Sequence, residues 1–277
     1  MLKKRIIAKL EIKNDNLVKG INLEGLRVLG KPEYFAENYY NFGVDELIYQ
    51  DVVASLYGKN ALYETISKTS KKIFIPLTVG GGIRNLNEIY KILKAGADKV
   101  SINSQAIKNP QILYDAIKIF GKSTIVVNIE VIKRNNEYFC YYNNGRTLSN
   151  LKAKDWISQL QKIGVGEIIL IFVDYDGTGK GFDLEFIKKI KKNIKMPLVV
   201  SGGAGNIKQV KSLIKSTDVS GVVLSSMLHY NLIQGQNLNK KDFLKEGNVE
   251  YLMNNTKLNK KFENISVQNI FRKLNKI

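Results

Sequence analysis

The sequence holds a single cysteine, a single histidine and a single tryptophan in 277 residues. A lone Cys140 excludes an internal disulfide and any cysteine-rich metal site, and no His, Cys and carboxylate residues fall at metal-ligand spacing. Neither a metal nor an organic cofactor is expected. No run approaches the roughly 20 apolar residues of a membrane helix. The opening Met1-Leu2-Lys3-Lys4-Arg5 is basic, but the apolar run behind it breaks at Lys9 and Glu11 and has no small-residue cleavage site. It reads as a first strand rather than a signal peptide, and a cytoplasmic protein is expected. Acidic residues are few beside basic ones, 25 against 43, for a net charge of +18. The lysines are scattered along helical segments instead of forming an Arg-rich, aromatic-interleaved patch, which argues against nucleic acid. The excess covers solvated helix faces and attracts anionic, phosphate-bearing ligands.

An apolar content of 44% is ample for one large core. Eight short β-branched runs, each followed by a stretch with helical spacing, occur at Arg5–Leu10, Glu46–Asp51, Ile75–Val79, Lys99–Asn103, Thr124–Glu130, Glu167–Val173, Leu198–Ser201 and Gly221–Ser225. Strand and helix alternating eight times over about 230 residues predict a parallel sheet closed into a single (β/α)₈ TIM barrel spanning 1–277.

The two halves, 1–120 and 121–233, echo one another. Gly43-Val-Asp-Glu-Leu matches Gly164-Val-Gly-Glu-Ile, Val79-Gly-Gly-Gly-Ile-Arg matches Ser201-Gly-Gly-Ala-Gly-Asn, and Glu11 matches Glu130. A duplicated half-barrel places matched chemistry on opposite sides of one mouth and suits a ligand with two similar ends. The pattern fails from Gln234 to Asn264, read as an insertion 234–264 at the catalytic face before a final helix at 265–277.

Gly80-Gly81-Gly82 and Gly202-Gly203 each close a strand just before a helix, where backbone amides converge on a phosphate; serving only as tight turns is the alternative. Asn103 with Ser104, and Ser225 with Ser226, end the following strands and would complete two phosphate sites. Glu11 and Glu130, at the C-terminal ends of matched strands, are the candidate catalytic acid and base, with rim salt bridges as the alternative. Asp51, Asp174 and Asp176 also stand at strand ends, and Asp176-Gly177-Thr178 suits hydroxyl or phosphate contact. At the opposite ends of their strands, Arg5, Glu46, Lys99 and Glu167 form a ring of alternating charge, which could be a plain stabilising plug. The sole histidine, His229, is expected to pack or cap.

At these residues the chain resembles the HisF family, the cyclase subunit of imidazole glycerol phosphate synthase, over nearly its whole length. The carrying stretches include Lys4-Arg5-Ile6-Ile7-Ala8, Thr78-Val-Gly-Gly-Gly-Ile, Gly96-Ala-Asp-Lys-Val-Ser-Ile-Asn103, Asp176-Gly-Thr and Ser201-Gly-Gly-Ala-Gly205. The resemblance implies a lyase of histidine biosynthesis. Ammonia and a bis-phosphorylated phosphoribulosyl-formimino aminoimidazole carboxamide ribotide would yield imidazole glycerol phosphate and aminoimidazole carboxamide ribotide. It further implies a heterodimer with a HisH-type glutaminase on the N-terminal face. The charged ring would then gate an ammonia tunnel, Asp98 would contact the glutaminase and Lys19 would lie near the ligand.

The family's two catalytic positions are aspartates, whereas this chain has Glu11 and Glu130. Strand parity also turns Lys9, Gln50 and Asn128 inward, predicting an unusually polar tunnel and an ion pair from Lys9 to Glu11 or Glu130. Some bacteria carry a divergent second copy of this subunit that supplies ammonia to a sugar amidotransferase for surface-glycan amidination. The altered carboxylates fit that alternative as well.

Overall fold

All eight β-branched runs are strands of one closed parallel barrel in the computed structural model, which describes residues 3–54, 62–234 and 261–275. The first half contains β1 (Arg5–Lys13), β2 (Asn16–Ile21), β3 (Glu24–Gly30), α1 (Pro32–Asn41), β4 (Glu46–Asp51), α2 (Tyr63–Ser70), β5 (Leu77–Gly80), α3 (Leu86–Lys94), β6 (Lys99–Ile102), α4 (Ser104–Lys108) and α5 (Gln111–Phe120). The second contains β7 (Ile125–Arg134), β8 (Glu137–Tyr142), β9 (Thr147–Lys152), α6 (Ala153–Ile163), β10 (Glu167–Phe172), α7 (Leu184–Lys191), β11 (Leu198–Ser201), α8 (Ile207–Ser216), β12 (Gly221–Leu224) and α9 (Ser226–Gln234). A last helix, α10, covers Val267–Leu274. The barrel order is β1, β4, β5, β6, β7, β10, β11, β12, with β12 pairing back onto β1.

The strands form where both faces can be buried, as the runs of Val, Ile and Leu require in a parallel sheet. Small boundary shifts have local causes. The third strand starts at Leu77 rather than Ile75, because Pro76 has no N–H to give to a ladder. The last helix is shorter than 265–277 because Ser266 caps it by accepting from Asn269 N. Most of the expected insertion, residues 235–260, lies outside the described residues. Its described end returns to the catalytic face, where Glu263 N donates to Gly205 O at 2.8 Å.

The internal repeat extends further than the sequence reading reached. Gly43 and Gly164 follow α1 and α6 with nearly the same left-handed backbone, φ 85° and 84°, a conformation that suits glycine. In addition, β1 and β7 each run past the barrel rim into an antiparallel hairpin, β2–β3 and β8–β9. No such hairpins were expected. Their turns carry left-handed asparagines, Asn14 and Asn22 in the first, Asn135, Asn136, Asn143 and Asn144 in the second, which tolerate positive φ better than other side-chain-bearing residues.

Inside the barrel the side chains stack in layers. The charged ring lies lowest. Above it Ile7, Ile48, Val126, Ile169, Val199 and Val223 belong to a buried aliphatic cluster separate from the core under the helices. Lys9, Gln50, Ser101 and Asn128 come next, with Asn128 Nδ2 donating to Gln50 Oε1 at 3.0 Å and Ser101 Oγ at 3.2 Å. The polar lining expected of the tunnel is found at this level. Parity places Lys9, Gln50 and Asn128 inward as predicted, but the residues two positions earlier on the same strand faces are aliphatic.

Candidate functional site

At the N-terminal mouth the four predicted residues close a ring. Arg5 Nη1 donates to Glu46 Oε1 at 2.7 Å and Nη2 to Glu167 Oε1, while Lys99 Nζ lies 3.3 Å from Glu46 Oε2 and 3.4 Å from Glu167 Oε2. Each carboxylate thus sits between two cations. Burial opposes the Arg5 charge, but bonds and fields from Glu167 and Glu46 outweigh it and push its pKa further up. Beside the ring, Asp98 is exposed and its Oδ2 accepts from Leu77 N at 2.8 Å. Next to Asp98 in a surface cleft stands Phe74, 81% exposed, flanked by Ile75 and Pro76. An aromatic ring that open to water is unusual for a solvated face.

At the C-terminal mouth, Glu11 lies between two lysines. Lys9 Nζ is 2.7 Å from Glu11 Oε1, and Lys19 Nζ is 2.7 Å from Glu11 Oε2 and 2.6 Å from Asp176 Oδ1. Lys9 therefore pairs with Glu11, one of its two anticipated partners, and reaches Asp176 more weakly at 3.8 Å. All four residues are buried. Burial alone would raise the Glu11 carboxyl, but the charges of Lys19 and Lys9 override it and hold it at about 2. Lys19, carried in by β2, is held above its ordinary range because Asp176 and Glu11 outweigh its own desolvation. Hairpin β2–β3 is also tied down by Asn22 N, which donates to Asp176 O at 2.9 Å. Gly177 packs against Gly20 O, and Thr178 Oγ1 donates to Tyr175 O at 2.8 Å.

Glu130 has the opposite environment. Its Oε2 accepts from Gly145 N at 2.7 Å, and among the described residues no cation pairs with it directly. Burial pushes its carboxyl up to about 7, despite the pull of Gly145, Asn103 and the more distant Lys9. The same mouth therefore holds one carboxylate fixed as an anion and one that titrates near neutrality.

Glu130 opens into a cleft lined by Gly81, Gly82, Asn103, Ser104 and Asn128. Gly81 has φ 107°, and a Cβ there would strike the backbone of Asp51, so only glycine lets these two βα loops meet. Asp51 is itself raised by burial while accepting from Val53 N and Ala54 N. Ser104 Oγ accepts from Asn143 N at 3.1 Å, which leaves its own proton free to be donated. Asn103 Oδ1 is buried without a partner among the described residues. Asn143, Asn144, Arg84 and Lys108 also line this cleft and were missed in the sequence. The Asn144-Gly145 pair was the available signal, since that dipeptide marks a hairpin turn.

Glu11, Lys19, Asp176, Gly202, Gly203, Ser225 and Ser226 do not line that cleft. Gly202 and Gly203 have φ 95° and 111° and pack on the loop after β10, with Gly181 N donating to Gly203 O at 2.8 Å. Ser225 is half-buried at the end of β12, and Ser226 Oγ is buried without a partner among the described residues. Asp174 serves the scaffold, its Oδ2 accepting from Lys133 N at 2.7 Å. Among the described residues no cluster of His, Cys, Asp and Glu could hold a metal, and no helix is long and apolar enough to cross a membrane.

Comparison with known proteins gives one consistent result. The family described as "Histidine biosynthesis protein" matches residues 5–234. The chain is 45% identical over 206 residues, 74% of its length and 97% of the relative's, to "Imidazole glycerol phosphate synthase subunit HisF" of Legionella pneumophila. It is 39% identical over 251 residues to the protein of that name from Bacillus cereus (strain G9842), covering 90% and 99% of the two chains. For Staphylococcus aureus (strain MRSA252) the identity is 38% over the same coverage.

Proposed function

The chain belongs to the HisF family of histidine biosynthesis proteins, and on that premise we propose that it is the cyclase subunit of an imidazole glycerol phosphate synthase. The substrate would be the bis-phosphorylated formimino ribotide, and a HisH-type glutaminase would supply the ammonia. The observation that carries this reading is the division of charge between two matched carboxylates, Glu130 raised to about 7 and Glu11 held at about 2. Environments that push two such groups apart fit one proton donor and one permanent anion. Glu130 is the group that gives and recovers a proton. Glu11 keeps the Lys9 and Lys19 ammonium groups in place beside an anionic ligand. Gly81, Gly82, Asn103 and Ser104 hold one phosphate, and Gly202, Gly203, Ser225 and Ser226 the other.

The test is loss of the ribotide's near-ultraviolet absorbance with ammonium salt alone. Turnover supports the proposal, and its absence in a folded, ligand-binding protein defeats it. The ring enters a second arm, as the entrance for ammonia from the partner. Replacing Lys99 by Met is expected to lower glutamine-dependent turnover while leaving ammonium-dependent turnover within about twofold, since only the former must pass the ring.

Phe74 and Asp98 suit the glutaminase contact, an aromatic anchor beside a carboxylate on the ring's own face. Phe74→Ser is expected to weaken glutaminase binding by about 30-fold or more, the scale of an interface hot spot. Titration calorimetry would read it, and an unchanged affinity would move the interface elsewhere.

A second reading has one observation in its favour. Lys9 and Lys19 occupy both oxygens of Glu11, as expected if the mouth passes ammonia on to another protein, such as a sugar amidotransferase, rather than performing the ring closure. Glutaminase stimulation without ribotide turnover would select it.

A further inference from the structure

The one histidine of the sequence is fully buried in a chain of polar contacts between two helices and the mouth. His229 Nδ1 lies 2.6 Å from Tyr39 Oη, and Nε2 lies 3.1 Å from Ser225 Oγ. The imidazole stacks on the Tyr39 ring at 5.9 Å and meets the Phe35 edge at 5.7 Å, so it cannot swing away. Ser225 has no other side-chain partner among the described residues, and Tyr39 Oη has none besides His229.

These contacts fix the direction of every proton. The Tyr39 phenol, wholly buried, stays protonated because burial raises its pKa. Among the described residues its proton has one acceptor in reach, Nδ1, and a buried donor without an acceptor is strongly disfavoured. Nδ1 is therefore the bare nitrogen and Nε2 carries the hydrogen. Burial and then the nearby Lys19 keep the ring from gaining a second proton, lowering its pKa to about 3, although a bond to the Lys9 backbone pulls the other way. Nε2–H donates to Ser225 Oγ, whose own proton must then point away from His229, and Ser225 is partly open at the mouth.

We propose that Tyr39 and His229 form a fixed relay that presents the Ser225 hydroxyl as a hydrogen-bond donor to the anionic group of the ligand, making His229 a positioning residue. This rests on the reading of Ser225 as part of the second phosphate site. The relay works as a neutral dipole. Without Tyr39, the imidazole can move its proton to Nδ1 and turn Nε2 into an acceptor, which would draw the Ser225 proton inward and leave an oxygen lone pair facing the anion.

Because the chain has one histidine, protein labelled with ¹⁵N-histidine yields only two ring-nitrogen signals. Wild-type protein is expected to show the Nε2–H tautomer unchanged from about pH 5.5 to 8.5. An Nδ1–H tautomer or a titrating ring overturns the proposal without any variant. Adding inorganic phosphate should shift Nε2 in the wild type and not in Ser225→Ala. In turnover, Tyr39→Phe should raise KM about tenfold with kcat within about twofold, as for the loss of one bond to a charged group. His229→Gln, with an N–H near the place of Nε2–H, should retain more affinity than His229→Leu; equal losses would mean packing alone and overturn the relay. Calorimetry separates the two failures: phosphate binding with a silent Nε2 overturns the relay, and no phosphate binding overturns the site reading together with it.

Discussion

Glu130→Gln is expected to lower cyclase turnover by about 10² to 10⁴-fold, the range supplied by a positioned proton donor, with ligand affinity kept within a few-fold. Glu11, held ionised by two lysines, has no proton to give at neutral pH, so on the proposed reading the donor's work falls to Glu130. In the wild type kcat/KM should fall above pH 7 as Glu130 ionises, and this limb should vanish from the residual rate of the variant. A rate that instead rises through pH 7 would make Glu130 a base. The same group ties stability to pH. A carboxyl at about 7 in the fold and 4.5 in the unfolded chain binds its proton more tightly when folded. Its contribution is fully present below pH 4.5 and is lost as pH rises through 7, on the order of 3 kcal/mol in all. Denaturant titrations at pH 5 and pH 8 should show that difference in the wild type and a smaller one in Glu130→Gln, while an equal dependence in both would mean that Glu130 does not titrate in this window.

Lys19→Met should have the largest effect on stability, about 3 to 5 kcal/mol, because it leaves Glu11 and Asp176 buried with only Lys9 between them. The ammonium lies 2.7 Å from one carboxylate and 2.6 Å from the other with no exposed side-chain surface. Removing Asp176 as well, in Lys19→Met/Asp176→Leu, should restore much of the loss, since the remaining Lys9–Glu11 pair is balanced. Chemical denaturation of the wild type, Lys19→Met, Asp176→Leu and the double variant measures the coupling, and additive losses would refute a shared buried network. Glu11 sets a second pH limit of opposite sign. Depressed to about 2 in the fold from 4.5, it adds stability above pH 4.5 that disappears as pH falls toward 2.

The barrel was legible because short β-branched runs followed by helical spacing recur eight times, and the ring because Arg5, Glu46, Lys99 and Glu167 stand at the same end of their strands. Parity also found Lys9, and left open only which carboxylate it would meet. The hairpins were not read because their strands are short and mixed: Thr147–Lys152 holds polar and apolar residues that pack on neighbours rather than in a core, and such strands owe their form to the partner they pair with. Asn144-Gly145 carried the clue, and with it the donor to Glu130. Lys19 could be singled out by resemblance, but its burial depends on where β2 folds back. The Tyr39–His229 contact joins residues 190 positions apart, a distance over which local pattern is silent.

The aliphatic layer of Ile7, Ile48, Val126, Ile169, Val199 and Val223 separates the two charged floors of the barrel. An ion moving from the ring to the mouth would have to shed much of its water against this aliphatic lining, an idealised penalty on the order of 20 kcal/mol in a fully apolar medium. A small neutral molecule meets no such penalty. On the proposed reading the barrel axis would therefore favour neutral over ionised species, and a nitrogen source crossing it would arrive with its lone pair unprotonated, ready to act as a nucleophile.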